Sequence, residues 1–175
     1  MEFYEVITTR RSVRSYRPDP IPEDALGRVL NAARIAPSAG NRQPWKFILV
    51  TDEGLRRQLV PACNEQSFIA EAPVIIAAVC AFKTHYDESG YPGTMFRVVD
   101  VAIALDHLTL AARAEGLGTC WIGAFSNEEV KKVLSIPPEV QVVALTPLGY
   151  PADRGFRQPG IRKPLEQIIC QERYS

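Results

Sequence analysis

Histidine is scarce in this chain. His85 and His107 are the only two among 175 residues. The four cysteines, Cys63, Cys80, Cys120 and Cys170, are scattered and form no C-x-x-C pair. A structural zinc site draws about four ligands from such residues at close spacing, so no metal is expected. Cys80 and Cys120 fall inside apolar runs, where a thiol behaves as a small buried hydrophobe. Net charge is also lacking. Twenty basic residues balance twenty acidic ones, and no global field draws the chain to nucleic acid or to a membrane surface. No apolar stretch is a convincing membrane span. Residues 98–112 come closest, but Asp100, Asp106, His107 and Arg113 lie in or beside them. The N-terminus shows no apolar h-region of a secretory leader, and a reducing cytoplasm is the expected setting. Internal repeats and low-complexity segments are absent.

The remaining composition is that of an ordinary globular protein. Apolar residues make up 46% and charged residues 23%, and the length suits one domain over 1–175 with a substantial core. A helix is predicted from about Pro22 through Leu26, Val29, Leu30 and Ala33 towards Pro37. Trp45 to Val50 reads as a strand, and Asp52 caps a short helix carrying Leu55 and Leu59. Pro73 to Phe82 reads as a buried strand with little alternation. The polar, punctuated stretch 83–95 reads as a loop. Residues 96–116 form the longest helical candidate. It is apolar around most of its circumference and needs burial on nearly every side, as between two subunits. Gly116 and Gly118 mark its end. Gly118 to Phe125 reads as a short strand or extended loop. Ser126-Asn127-Glu128-Glu129 opens a helix as a capping box. Val140 to Leu148 reads as another strand, and residues 152–163 as an extended polar tail. The class is α+β or α/β with four or five strands.

Three segments carry chemistry. In Arg10-Arg11-Ser12-Val13-Arg14, three guanidinium groups and a hydroxyl fall within five residues. Were the segment helical, Arg10 and Arg14 would be i,i+4 neighbours whose charges repel. A phosphate between them would relieve the repulsion, since arginine engages phosphate oxygens in pairs. A solvated basic patch is the plainer alternative. In Pro37-Ser38-Ala39-Gly40-Asn41-Arg42-Gln43-Pro44-Trp45, the prolines and glycine suit a helix-to-strand turn. Ser38, Asn41 and Gln43 could also present donors and acceptors to a heterocycle edge. In Gly116-Leu117-Gly118-Thr119-Cys120-Trp121-Ile122-Gly123, glycines allow close approach of backbone to a flat ligand, while a buried strand with Trp121 in the core explains the same residues.

Taken together, these segments resemble the nitroreductase family of FMN-dependent enzymes. The resemblance continues through Ala72-Pro73-Val74-Ile75-Ile76, Gly149-Tyr150-Pro151 and Arg162-Lys163-Pro164-Leu165-Glu166, in order over nearly the whole chain. With a short 83–95 region, the chain resembles a compact member. The resemblance implies an α+β fold of three layers, with a central, mostly antiparallel sheet flanked by helices, in an intertwined homodimer. It implies FMN at the subunit interface and NAD(P)H as co-substrate. Arg10, Ser12 and Arg162 would hold the phosphate, with Arg11 and Lys163 nearby and Arg14 towards the pyrimidine side of the ring. Pro37, Ser38, Ala39, Asn41 and Gln43 match the loop that reaches a cofactor bound mainly by the other subunit. Backbone groups of Trp121, Ile122 and Gly123 match those at the N5 and O4 edge. Asn64 matches a ring-contacting asparagine in some relatives, with Gln66 an equal candidate.

No nucleophile–base–acid set stands out, and none is required where hydride chemistry occurs at flavin N5. The implied activity is ping-pong transfer of hydride from NAD(P)H to a nitroaromatic, a quinone or a similar small acceptor. Alternatives are a flavin store or sensor without significant turnover, and a specialised activity such as reductive dehalogenation. A nucleic-acid binder built on Arg10, Arg11 and Arg14 is disfavoured by zero net charge and by the lack of aromatic–basic interleaving.

Overall fold

The computed structural model describes residues 1–81, 93–152, 156 and 161–174. Among the described residues five α-helices and four strands follow one another as α1 (Phe3–Thr9), α2 (Glu23–Arg34), β1 (Trp45–Val50), α3 (Glu53–Ala62), β2 (Val74–Cys80), α4 (Gly93–Ala114), β3 (Gly118–Thr119), α5 (Asn127–Leu134) and β4 (Gln141–Gly149). The strands form one antiparallel sheet in the order β1-β2-β4-β3.

β2 shows why the fold has three layers. All seven of its residues are buried, which requires cover on both faces. Side chains alternate across a strand. Ile75, Ala77 and Val79 join Leu59, Ala62 and Val130 from α3 and α5 on one side. Val74, Ile76, Ala78 and Cys80 join Val29 and Ala33 of α2 and Val101, Leu105 and Leu108 of α4 on the other. The near-continuous apolar run is therefore the imprint of two cores on one strand.

The local signals act as expected at several ends. Asp52 Oδ1 accepts from the Leu55 N–H at 2.8 Å, and Ser126 Oγ accepts from the Glu129 N–H at 3.3 Å. Each satisfies one of the amides that a helix start leaves without a partner. Other boundaries differ. α2 ends at Arg34, ahead of Pro37. α4 begins at Gly93, within the stretch read as a loop, and ends at Ala114. The rest of that stretch, through Pro92, lies outside the described residues, as do 153–155 and 157–160 of the tail. Gly116, at φ +76, makes the left-handed turn after α4. Gly118 instead opens β3. The stretch 118–125 contributes only Gly118–Thr119 and a single bridge from Ile122 to Leu145.

α4 is apolar all round and only part of it is covered. Val101, Ala104, Leu105, Leu108 and Ala112 are buried, while Val99 is 44% exposed. Among the described residues no helix is long and apolar enough to cross a membrane, and no group of three metal-ligating side chains gathers.

Burial also sets the thiols. It pushes the Cys63 thiol from its ordinary 9.0 up to about 11, because low dielectric disfavours the thiolate. The unfolded chain therefore releases this proton first as pH rises, and the folded state falls behind in ionisation. Stability is expected to decline between pH 9 and about 11. Denaturant melts of wild type and Cys63→Ala across that range test this: the variant's stability should fall less steeply with pH.

Candidate active site

Helix α1 stops at Thr9, and Arg10 turns into extended backbone at φ −58 and ψ 135. The chain then runs along the end of the sheet. The Val13 N–H donates to the Thr119 carbonyl at 2.9 Å and the Arg17 N–H to the Tyr150 carbonyl at 2.9 Å. Ser12 pairs with Thr119 and Tyr16 with Pro151. The helical i,i+4 arrangement of Arg10 and Arg14 is thus replaced by an extended one. The cause is Val13, which is 3% exposed and sits so close to Gly118 that a Cβ there would lie 2.7 Å from Val13 Cγ2. Docking Val13 under the sheet end requires an extended backbone.

Extended geometry sorts the basic run by period two. Arg10, Ser12 and Arg14 share one face, Arg11 and Val13 the other. Arg11 turns back on α1, donating to the Thr8 carbonyl at 2.9 Å and to the Arg10 carbonyl. It caps carbonyls that the helix end leaves without partners. Burial, followed by the positive charges of Arg162 and Arg10, holds the Arg11 guanidinium below its ordinary value. Arg162, from the far end of the chain, is therefore within electrostatic reach of the N-terminal arginines. Arg162 and Lys163 are both exposed. Cys120 reports the same field from the other side. Its thiol is pushed up by burial and drawn back by Arg14, by a hydrogen bond from Ser12 and by Arg10.

The 37–45 segment is a structured loop. Ala39–Asn41 form one 3-10 turn, with Gly40 at φ 58, and Asn41 and Gln43 also take positive φ, at 55 and 50. Left-handed backbone at a non-glycine residue costs on the order of 1 kcal/mol and persists where surroundings enforce it. The enforcing contacts are visible. The Gln43 N–H donates to Ser38 Oγ at 2.9 Å, and the Gln43 amide donates to the Asn41 carbonyl and to Asn41 Oδ1, both at 3.1 Å. The Ala39 N–H donates to Asp100 Oδ1 at 3.1 Å. Asp100, 6% exposed on α4, escaped the sequence reading as a site residue. The sequence carries a signal for it: an acid buried within an apolar helix needs a donor.

The 116–123 segment lies beside the arginine strand. Ile122 is 2% exposed, and it both donates to and accepts from the backbone of Leu145, at 2.8 and 3.1 Å. Its N–H is committed to the sheet, which leaves Trp121 and Gly123 outside that ladder. Trp121 is partly exposed and, with Val99, Ala102, Ile103, Asp106 and His107 of α4, lines a groove of about 450 Å³. Asn64 is exposed and follows α3 in left-handed backbone at φ 54. Gln66 is tied down, donating to the Cys63 carbonyl at 2.8 Å and to the Ala124 carbonyl at 3.3 Å. Of the two candidates, Gln66 is the one whose side-chain amide is committed to described hydrogen bonds.

This donor set fits a phosphate-bearing flavin. The charges of Arg10 and Arg162 both act on Arg11, and a phosphate dianion neutralises a gathering of guanidinium groups. Comparison with known proteins agrees. The profile described as "Nitroreductase family" matches residues 7–68 and 63–150. A protein of Archaeoglobus fulgidus named "Putative NADH dehydrogenase/NAD(P)H nitroreductase" is 36% identical, with 87% of each chain covered. The "FMN reductase [NAD(P)H]" of Bacillus subtilis is 31% identical, covering 99% of this chain and 74% of its own. A crystal structure of a nitroreductase family protein from Clostridium novyi NT superimposes with a TM-score of 0.79 at 40% identity, over 90% of this chain and 89% of its own.

Proposed function

The chain belongs to the nitroreductase family, and on that premise we propose that it is an FMN-dependent oxidoreductase working between NAD(P)H and a small organic acceptor. The observation that carries the reading is that Arg162 and Arg10 both lie near enough to Arg11 for their charges to act on it. Two ends of the polypeptide bring like charges together, and a phosphate is the group that makes such a meeting favourable.

Arg10, Ser12 and Arg162 hold the phosphate in this reading. Arg14 would face the pyrimidine edge of the ring, where a cation would favour negative charge on the reduced ring. Trp121 and Gly123 supply backbone contacts at the opposite edge, and Asn64 a side-chain contact. A flavin held by these residues would supply the redox chemistry, a ping-pong transfer of hydride from NAD(P)H to a nitroaromatic, a quinone or a similar acceptor.

A second copy of the chain completes the site. Asp100 anchors the 37–43 loop near one end of α4, and Arg113 contacts Thr9 near the other. The two anchors stand about 20 Å apart along the helix axis, at 1.5 Å per residue. The loop therefore reaches away from its own arginine strand and suits a cofactor held by a partner. Apolar surface supports the same arrangement. Phe3 and Tyr4 of α1 are 63% and 77% exposed, and Ile161, Leu165 and Ile168 of the tail are all more than 60% exposed. Exposed apolar surface on this scale marks an association face.

Purified protein is expected to be yellow, to bleach with NADH or NADPH under anaerobic conditions, and to regain colour on addition of menadione or nitrofurazone. Bound FMN that neither nicotinamide bleaches would overturn the oxidoreductase reading. Yellow protein eluting at monomer mass on dilution would overturn the shared site.

A further inference from the structure

Arg113 is a buried cation on α4, 8% exposed. No carboxylate lies within ion-pair distance of it among the described residues. Taking a guanidinium out of water is costly, and an apolar side chain of similar volume would fill the same space without that penalty. The charge therefore calls for an explanation.

Its contacts provide one. Arg113 Nε donates to Thr9 Oγ1 at 2.9 Å. Thr9 is the last residue of α1 and adjoins Arg10. The guanidinium carbon lies 3.9 Å from the centroid of the Phe156 ring, a stacking distance for a cation on an aromatic face. Phe156 packs on the small core of Val13, Tyr16 and Ala72 beneath the arginine strand. Burial lowers the Arg113 guanidinium from its ordinary value, and the charge of Glu5 on α1 opposes that effect.

We infer that Arg113 is a positioning residue for the flavin phosphate: it fastens the end of α1 and the Phe156 ring to α4, and so sets where Arg10 and the arginine strand stand. The inference rests on the FMN reading above. Arg113 does not itself touch the phosphate. It acts on Arg10 through Thr9 and on the arginine strand through Phe156 and the Val13 core. A planar, always-charged side chain suits this role, because it donates along one edge while stacking on its face.

The test compares FMN with riboflavin, which lacks the phosphate. Binding of each to the full-length apoprotein is followed by quenching of flavin fluorescence. Arg113→Gln is expected to raise the Kd for FMN about tenfold while leaving that for riboflavin within about twofold. Arg113→Lys, which keeps the charge but loses the stacking plane, recovers part of the loss. If Arg113→Gln fails to fold, Phe156→Leu carries the test, with an expected rise of about threefold for FMN only. A parallel rise for both ligands, or no rise for FMN, in a folded variant overturns the role of Arg113. Wild-type protein that binds the two ligands equally overturns the phosphate assignment itself, and the inference with it.

Discussion

Arg162→Ala is expected to weaken FMN binding by roughly tenfold to a hundredfold without destabilising the apoprotein. A hydrogen bond to a charged group contributes about 1.5–3 kcal/mol, and each 1.4 kcal/mol is about a factor of ten in Kd. The opposite sign for the empty protein follows from the charges. Arg162 lowers the Arg11 guanidinium by repulsion, so removing it relieves a like-charge contact. A residue retained for folding would lose thermal stability on truncation, whereas a ligand-binding residue loses affinity and leaves the apoprotein melting temperature level or slightly raised. Arg10→Ala should behave in the same way towards FMN. With both side chains on one phosphate, as proposed, the double variant should lose less than the two single losses multiplied. Titration calorimetry of the single and double variants, alongside melts of flavin-free protein, checks each point. Unchanged FMN affinity in Arg162→Ala removes the tail from the site.

Gly118→Ala is expected to destabilise the protein by about 1–3 kcal/mol, the range for forcing an extra methyl into close packing. The methyl would lie 2.7 Å from Val13 Cγ2 and 2.9 Å from Val13 Cβ. Valine is stiff at χ1, so rotation cannot clear the clash and the backbone of the 10–17 strand has to move. That strand carries Arg10, Ser12 and Arg14. FMN affinity should therefore fall together with stability, although Gly118 is not itself assigned a contact. Val13→Ala in the same background removes the two Cγ contacts while leaving the Cβ contact at 2.9 Å, and should recover part of both losses. Urea melts and FMN titrations of the two variants and the pair give the readout. A Gly118→Ala protein with wild-type stability would show that Val13 does not fix the strand.

Much of the architecture was legible before any coordinates, and for identifiable reasons. The seven-residue apolar run of β2 announced a strand covered on both faces, because exposed strands alternate. Asp52 and Ser126 announced helix starts, because a side-chain oxygen beside orphan amides is a local arrangement. Local chemistry of this kind depends on neighbours in sequence, and sequence displays it. The ends of α4 were less legible. An all-apolar helix carries no periodic boundary, and glycines at 116 and 118 look alike until one is seen turning the chain and the other admitting Val13.

The candidate site divides in the same way. Its residue types stood in the sequence: the arginine run, the Ser38–Gln43 loop and the late Arg162. Their division of labour did not. Extended rather than helical backbone separates Arg11, which caps α1, from Arg10, Ser12 and Arg14, and that choice is made by a contact between Val13 and a glycine more than a hundred residues away. Asp100 and Arg113 looked merely like charges that argue against a membrane span. Only packing revealed that each holds a loop or strand to the long helix.

The amino-acid order alone thus determined the layers, the caps and the chemical vocabulary of a phosphate-bearing cofactor site, since these follow from periodicity and from side-chain chemistry close at hand. Tertiary structure alone decided which arginines face outward, which buried charges anchor them and how far apart the loop and the strand stand. Those outcomes depend on contacts between residues distant in the chain, and no short-range pattern encodes them.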